Sequence, residues 1–540
     1  MSLFFSALPP LLQADAKAAP AIKSRPANDG GRGLDAATAD AMEVDKLFDS
    51  INQARTRIGQ ASLYRTLLHP PTTLETARAR QAAVAELSAN PDLRDRLSHL
   101  LDQAASRENH FYDLLYAQFM GAIGNPSHPL EIAGYGYESY IEGTRFLLDL
   151  VKGAEDLAAV AGSEYLQAVL ADLRGFKASR AWQLMQGPVY RTEKRVCTAA
   201  EKSRLTPAVR FRPGLFKPTW LLTGAILLML AVEFVPGLLA IAQSVSSLFG
   251  LFVLPLALLY IPLVGSFDRD ACIHPLRNFY KTSPEVAQAL EALGRLDELS
   301  SLARYPEHAG VTTCLPELTG GETHSLVVAG VRNPVLGQQN PDYVPNDIEL
   351  KTQRVVLLTG PNSGGKTAFA KTLAQVQLLG QIGGYIPAKQ AALGVADHIF
   401  YQIPEISHLA DGEGRFGTEL RRTKEIFVKA TARSLVLMDE LSEGTTHEEK
   451  IEISLSILEG FHQKGNTTLL ITHNHELVDR LLAQNKGLAR QVEFRDEQPT
   501  YRVIEGISRV SHAERVAKKI GFSREDIARY LSGGPNRGRG

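Results

Sequence analysis

The sequence has no excess of charge in either direction. Its 58 lysines and arginines stand against 59 aspartates and glutamates, a formal net charge of −1. No global basic field surrounds the molecule, so any contact with a polyanion must come from a local patch. Cysteine is equally scarce. Cys197, Cys272 and Cys314 are too few and too scattered for a disulfide framework or a zinc cluster, which fits a reducing compartment. The opening "MSLFFSALPPLLQ" lacks a charged leader and a clear cleavage site, so no signal peptide is expected there. Residues 1–40 are expected to be a disordered tail, because the stretch from Ala14 to about Asp40 is rich in Ala, Pro, Gly and Asp. The 540 residues have room for about three to four domains.

Between residues 41 and 217 the apolar spacing is helical. Asn90 can cap a helix, Pro91 suits its first position and Asp92 favours the dipole; Leu93, Leu97, Leu100 and Leu101 then fall on one face. "GNPSHPLEIAGYGYESY" (Gly124 to Tyr140) interrupts this region as a loop. Arg191 to Lys217 is a basic stretch, with Arg191, Lys194, Arg195, Lys202, Arg204, Arg210, Arg212 and Lys217 against Glu193 and Glu201.

Residues 218–266 carry a single charge, Glu233. The run is long enough for two spanning helices, roughly Thr219 to Ala240 and Ser246 to Gly265, joined by a short turn. The expectation is a two-helix transmembrane hairpin with the basic flank marking its cytoplasmic side. The alternative is a buried helical hairpin, although such helices rarely go so far without a charged face. Glu233 precedes Pro236 and Gly237 and reads either as a residue near the far interface or as an intramembrane carboxylate. The basic stretch would hold anionic headgroups of membrane lipids or the phosphates of DNA, the headgroup role being preferred because lipid-spanning residues follow it.

Residues 267–324 return to helix, most clearly in "PEVAQALEALGRLDELSSLARY" (Pro284 to Tyr305). From about Ser325 short β-branched runs alternate with helical segments, which predicts an α/β domain with a largely parallel sheet over residues 325–505. Residues 506–534 read as a two-helix unit in which Gly521 closes the first helix and Ser523 caps the second; residues 535–540 are a tail.

The chemistry concentrates in that α/β domain. Gly360 to Thr367, "GPNSGGKT", follows the apolar run "RVVLLTG" and opens a helical pattern, the context a phosphate-binding loop needs. Gly360, Gly364 and Gly365 let backbone N–H groups approach phosphate oxygens, and Pro361, Asn362 and Ser363 complete the loop. Lys366 would reach the β- and γ-phosphates of ATP, and Thr367 would hold Mg²⁺. "SLVLMDEL" (Ser434 to Leu441) ends in two acids: Asp439 for the Mg²⁺ shell and Glu440 to orient or deprotonate the attacking water. "TTLLITHNHEL" delivers His473 at a third strand end, where an imidazole either polarises the γ-phosphate region or is structural.

In order and spacing, "GPNSGGKT", "GGYIPA" (Gly383 to Ala388), "LVLMDELSEGTT" and "ITHNHEL" resemble the ATPase domain of the MutS family. The stretch from Leu63 to Leu97 is similar to the start of that family's helical core and lever region. "LGRLDELSSLARY" with "VVAGVRNPVL" is similar to its return into the ATPase, and "GISRVSHAERVAKKIGFSREDIARYL" to its C-terminal helix-turn-helix. Tyr343 matches the aromatic residue that packs on adenine in the family, with Val344 beside it. The departures are as specific. No Phe-x-Glu wedge occurs anywhere, and the clamp that joins the lever helices is not recognisable. The family signature G-R-S-T-F-M-x-E-M reads "GEGRFGTEL" here: Gly412, Phe416 and Glu419 align, but Gly414 replaces the serine that reaches the partner's γ-phosphate. Arg415 is adjacent and is either an arginine finger or a surface residue.

The resemblance implies a P-loop α/β ATPase domain joined to an all-α core and lever domain that the transmembrane hairpin interrupts. It further implies an ATP hydrolase with Mg²⁺, a homodimer with ATP at the interface, and catalytic roles for Glu440, His473 and Arg415. The expected location is integral to a membrane, with the ATPase domain on the cytoplasmic side. Two functions follow: a membrane-anchored ATPase acting on structured or mismatched DNA, or an ATP-driven membrane switch acting on an unknown protein partner without DNA.

Overall fold

The computed structural model describes residues 33–117, 119, 135–193, 195–203, 207–213, 263–338, 340–351, 354–361, 364–404, 414–441, 447–495, 498–509 and 520–531. Its helices include α1 (Ala36–Ala41), α2 (Val44–Ile51), α3 (Arg57–Leu68), α4 (Pro91–Tyr116), α5 (Tyr137–Ala158), α6 (Pro284–His308), α7 (Lys366–Gln381), α8 (Gly414–Lys429), α9 (His447–Lys464) and α10 (Arg524–Leu531). Two compact units divide the chain.

The first unit holds Gln53–Tyr64 and Glu86–Ser301. Asn90 caps α4 by accepting from Leu93 N at 3.2 Å, and Pro91 occupies the first turn. Leu93, Leu97, Leu100 and Leu101 are buried, and the same face continues to Phe111 and Leu115. There α4 meets α5: the Phe111 and Phe146 rings lie 5.9 Å apart, and a Cβ on Gly143 would meet the Phe111 backbone at 2.9 Å. That helix pair needs a glycine for its close approach.

Two buried carboxylates close the start of α3. Asp297 Oδ2 accepts from Thr56 N and Thr56 Oγ1, each at 2.7 Å. Glu108 Oε1 accepts from Arg57 N at 2.8 Å, and its Oε2 from the Tyr112 hydroxyl at 2.8 Å. The free N–H groups of a helix start are thereby satisfied, and negative charge lies where the dipole favours it. Burial nonetheless dominates at Glu108 and pushes its carboxyl up to about 7.

This unit is not all helix, which corrects the expectation for residues 41–217. Strands β1 (Val189–Arg191), β2 (Val196–Thr198) and β3 (Val209–Phe211) form an antiparallel sheet in the order β2-β1-β3. Alternation explains it: Val189 pairs with Phe211 on the buried face, where Phe211 packs 5.2 Å from Tyr140, while Tyr190 pairs with Arg210 on the other.

The fold class is also corrected at the membrane. Among the described residues no helix is long and apolar enough to cross a bilayer. The long helices α4 and α6 are interrupted throughout by charged residues, as befits helices packed within a folded unit. The expected hairpin falls on residues that, apart from its last few, lie outside the described ones, and its C-terminal end at Gly265 packs on the ring of Tyr135, 2.6 Å from a built Cβ. The architecture is a mixed α/β one, and neither the hairpin nor the location integral to a membrane stands.

The second unit holds Asn28–Asn52, Arg65–Ala85 and Leu302–Gly540. Its larger sheet runs β13-β12-β7-β11-β10-β9, from β7 (Val355–Thr359), β9 (Ile399–Gln402), β10 (Leu435–Asp439), β11 (Thr467–Ile471), β12 (Leu488–Arg495) and β13 (Gln498–Glu505). All pairs are parallel except β12 with β13. β7 and β11 are buried at every position, as strands covered on both faces must be. Val355, Leu357, Val436, Met438 and Leu470 pack with Ile426 of α8 and with Leu458 and Phe461 of α9. Each such side chain contributes roughly 1.5–3 kcal/mol.

A second sheet, in the order β4-β8-β5-β6, uses β4 (Glu317–Thr319), β5 (Leu326–Val331), β6 (Asn346–Leu350) and β8 (Gln390–Gly394). Helix α1 lies inside the stretch expected to be tail. Asp35 caps it through Thr38 N at 2.8 Å and pairs with Arg422 of α8 at 2.6 Å. The Met42 carbonyl accepts from Gln375 of α7 at 2.7 Å. These tertiary bonds order a segment whose composition alone suggests disorder.

Candidate active site

The parallel register brings three strand ends level. Leu358 of β7 faces Ile471 of β11, and Ile471 faces Asp439 of β10. The carboxyl ends of such strands are where open α/β sheets place ligands. Beyond β7 the chain turns at Gly360, φ +136°, and enters α7 through Gly365, φ +82°. Both conformations favour glycine. Gly364 N donates to Pro361 O at 3.0 Å, and Phe369 N to Gly365 O at 2.9 Å, which fixes the loop and starts the helix. Asn362 and Ser363 lie outside the described residues.

Lys366 is 3% exposed. Its ammonium donates to Gly360 O at 2.7 Å and Pro361 O at 3.0 Å, and lies 3.3 Å from His473 Nε2. Burial lowers its pKa, while Asp439 and Glu440 pull the other way. A buried cation held by carbonyl dipoles at a helix N-terminus suits an incoming anion.

Thr367 Oγ1 donates to Asp439 Oδ2 at 2.7 Å. A hydroxyl and a carboxylate oxygen so placed are the hard donors Mg²⁺ takes. Among the described residues no group of three or more His, Cys, Asp or Glu could hold a metal.

Glu440 follows at φ +63°, a left-handed backbone rare outside glycine. Its N–H donates to Ile471 O at 2.9 Å. Its Oε1 accepts from His473 N at 2.9 Å and its Oε2 from Thr472 Oγ1 at 3.4 Å, with Lys450 Nζ 3.9 Å away. Burial and the neighbouring Lys366 lower the His473 pKa, so the ring is neutral at pH 7.

The Tyr343 hydroxyl lies 3.3 Å from Thr372 Oγ1. Asn346 ties this segment to β13: its Nδ2 donates to Val344 O at 3.2 Å and to Tyr501 O at 3.0 Å. Tyr501 has φ +60°, is 51% exposed, and places its ring 3.3 Å from a Cβ built at Gly365. Sequence reasoning missed Asn346 and Tyr501; neither belongs to a motif, and only the return of β13 beside β12 brings Tyr501 to the loop. Thus Gly360, Pro361, Gly364, Gly365, Lys366, Thr367, Asp439, Glu440 and His473 come together at the strand ends. Tyr343 and Val344 lie at one flank. Arg415 falls in the first turn of α8 and Glu419 is buried, but the Arg415 side chain is outside the description.

Residues 356–530 match the family model of MutS domain V. The chain is 34% identical over 250 residues to the DNA mismatch repair protein MSH3 of Phaeosphaeria nodorum, 44% of this chain and 22% of that one. It is 33% identical over 246 residues to the DNA mismatch repair protein MutS of Desulforamulus reducens, 44% of this chain and 28% of the relative. With the MutS of Synechococcus sp. (strain CC9902) the identity is 37% over 199 residues, 36% of this chain and 21% of that protein. The chain thus spans between a fifth and three tenths of the length of these relatives.

Proposed function

We propose that this chain is a MutS-like ATPase that serves DNA repair as a homodimer. The observation that carries it is the Thr367–Asp439 contact of 2.7 Å beside the carbonyl-held Lys366 and the strained Glu440. Three separate sequence motifs meet there at the carboxyl ends of neighbouring strands. Gly360 to Thr367 cradles the phosphates of ATP, Lys366 neutralises them, and Thr367 with Asp439 would hold Mg²⁺, which supplies charge neutralisation to the phosphates when bound. Glu440 takes the role of orienting the attacking water, its carboxylate aimed by His473 N and Thr472 Oγ1. Neutral His473 accepts a hydrogen bond from Lys366 and positions that ammonium. Tyr343 and Val344 receive the adenine, and Tyr501, tied to them through Asn346, faces the same loop.

Pairing is supported by the C-terminal segment. Ile520, Phe522, Tyr530 and Leu531 are exposed about α10, and no residue of α10 is buried. An apolar surface of this kind suits a second copy. Across such a dimer Arg415 supplies the charge that Gly414 cannot. Mixing Arg415→Ala with Lys366→Ala subunits then restores turnover at the interface that keeps both residues. A slow Arg415→Ala protein that mixing does not rescue contradicts action across the dimer.

The relatives, named as DNA mismatch repair proteins, support the DNA reading. Steady-state ATPase of the purified full chain, with and without mismatched or branched duplexes, tests it. A rate that responds to such DNA supports repair; a rate indifferent to every duplex contradicts it.

A further inference from the structure

A cavity of about 440 Å³ lies in the second unit, and its lining includes none of the described residues of the phosphate loop, nor Asp439, Glu440 or His473. Pockets for small molecules run roughly 300–1,000 Å³. Two cations line this one, Arg332 just after β5 and Lys389 just before β8. Strand pairing puts Lys389 across from Gly330, two positions along from Arg332. Arg332 N donates to Pro387 O at 2.8 Å and Lys389 N to Ala329 O at 2.9 Å. The Lys389 stem crosses Gly330, where a Cβ would sit 2.9 Å from its Cγ. A side chain at Gly330, φ +63°, would therefore displace the lysine as well as strain the turn.

Among the described residues no carboxylate pairs with either cation. The Arg332 guanidinium is fixed 5.3 Å from the centroid of Tyr343 and donates from Nη2 to Asn340 O at 3.0 Å. Its Nε is shut from solvent and has no hydrogen-bond partner among the described residues, although such a donor normally has one. Lys389 is exposed and has no acidic partner among the described residues. Asp347, on the neighbouring strand, accepts the Gly330 N–H at 2.6 Å. Val311, Pro341 and Pro345 add apolar surface to its lining. A planar guanidinium held by an aromatic ring, an exposed lysine in the same lining and apolar residues around them together match a phosphate group with a small organic body.

We propose that this cavity is a second ligand site, separate from the phosphate loop, which takes a small phosphate-bearing molecule with its phosphate between Arg332 and Lys389. The site stands whether or not the phosphate loop hydrolyses ATP. The test uses the full chain carrying Lys366→Ala, which weakens the phosphate loop, titrated calorimetrically without Mg²⁺ with inorganic pyrophosphate and, separately, with AMP. At least one probe is expected to bind at one site per chain. Arg332→Gln added to that background weakens binding about tenfold or more, the worth of a charge-assisted hydrogen bond, and Lys389→Glu abolishes it. Lys389 is exposed, so its replacement leaves the melting temperature unchanged and keeps the test free of misfolding. If neither probe binds the Lys366→Ala protein, or the Lys389→Glu protein binds equally well, the proposal is overturned. Binding that persists in Lys366→Ala and is lost on adding Lys389→Glu belongs to this cavity; binding that Lys389→Glu leaves intact belongs to the nucleotide site and speaks against it.

Discussion

At Glu108 a single carboxylate makes the stability of its unit depend on pH. The group is buried, takes the N–H of Arg57, and has its pKa raised from 4.5 to about 7. A carboxyl raised in the folded state gives stability that is complete below the unfolded value, near 4.5, and is lost as pH rises through about 7. Glu108→Gln mimics the protonated acid, keeping an acceptor for Arg57 and a partner for Tyr112. The variant is expected to melt higher than the parent at pH 8 and close to it at pH 4.5. Equal melting temperatures of the two proteins at pH 8 would rule out an ionising, buried Glu108. Thr367 offers a second test at this scale. Thr367→Val keeps the shape but removes the hydroxyl on Asp439, so Mg²⁺-dependent nucleotide binding should weaken about tenfold or more while Mg²⁺-free binding changes little. Calorimetry with and without the metal separates the two.

Elements carry the contacts that join distant parts of the second unit. Arg422 of α8 pairs with Asp35 at 2.6 Å and donates to Thr38 Oγ1 at 3.1 Å, which anchors α1. Burial works to raise the Asp35 pKa, but Arg422 and the Thr38 N–H outweigh it and hold the carboxyl below its usual value. Arg422→Ala leaves that half-buried carboxylate unpaired and is expected to cost about 2 kcal/mol in urea unfolding. Adding Asp35→Ala should cost less than the two single losses summed, because the same interaction is removed twice. Strict additivity would mean the pair is not coupled. Legibility also divides by element. β7, the phosphate loop and α7 could be read from "RVVLLTGPNSGGKT" because neighbouring residues fix that geometry. The Asn90 cap was equally plain. The antiparallel β1–β3 sheet was not, since three-residue strands leave too little alternation to detect. Asp297 and Glu108 look like solvated helix charges until α3 is seen to begin on them. Tyr501 reaches Gly365 only through the pairing of β13 with β12, which no local pattern records.

For the whole molecule the account requires a pair of chains. The exposed apolar residues around α10 have no covering within the described chain, so removal of residues 511–540 should lower both the light-scattering mass and the ATPase rate. A truncated protein that stays dimeric and fully active would contradict that pairing. The central claim is that Lys366 receives the phosphates and Glu440 activates the water. The most direct measurement is ATP occupancy and turnover on the purified full chain with Lys366→Ala and with Glu440→Gln. Lys366→Ala should bind ATP at least tenfold more weakly, since a buried charge-assisted contact is lost. Glu440→Gln should bind ATP like the parent yet lose at least a hundredfold in turnover and accumulate bound, unhydrolysed ATP. If both variants bind and hydrolyse ATP at the parent rate, the site at the ends of β7, β10 and β11 does not perform the reaction.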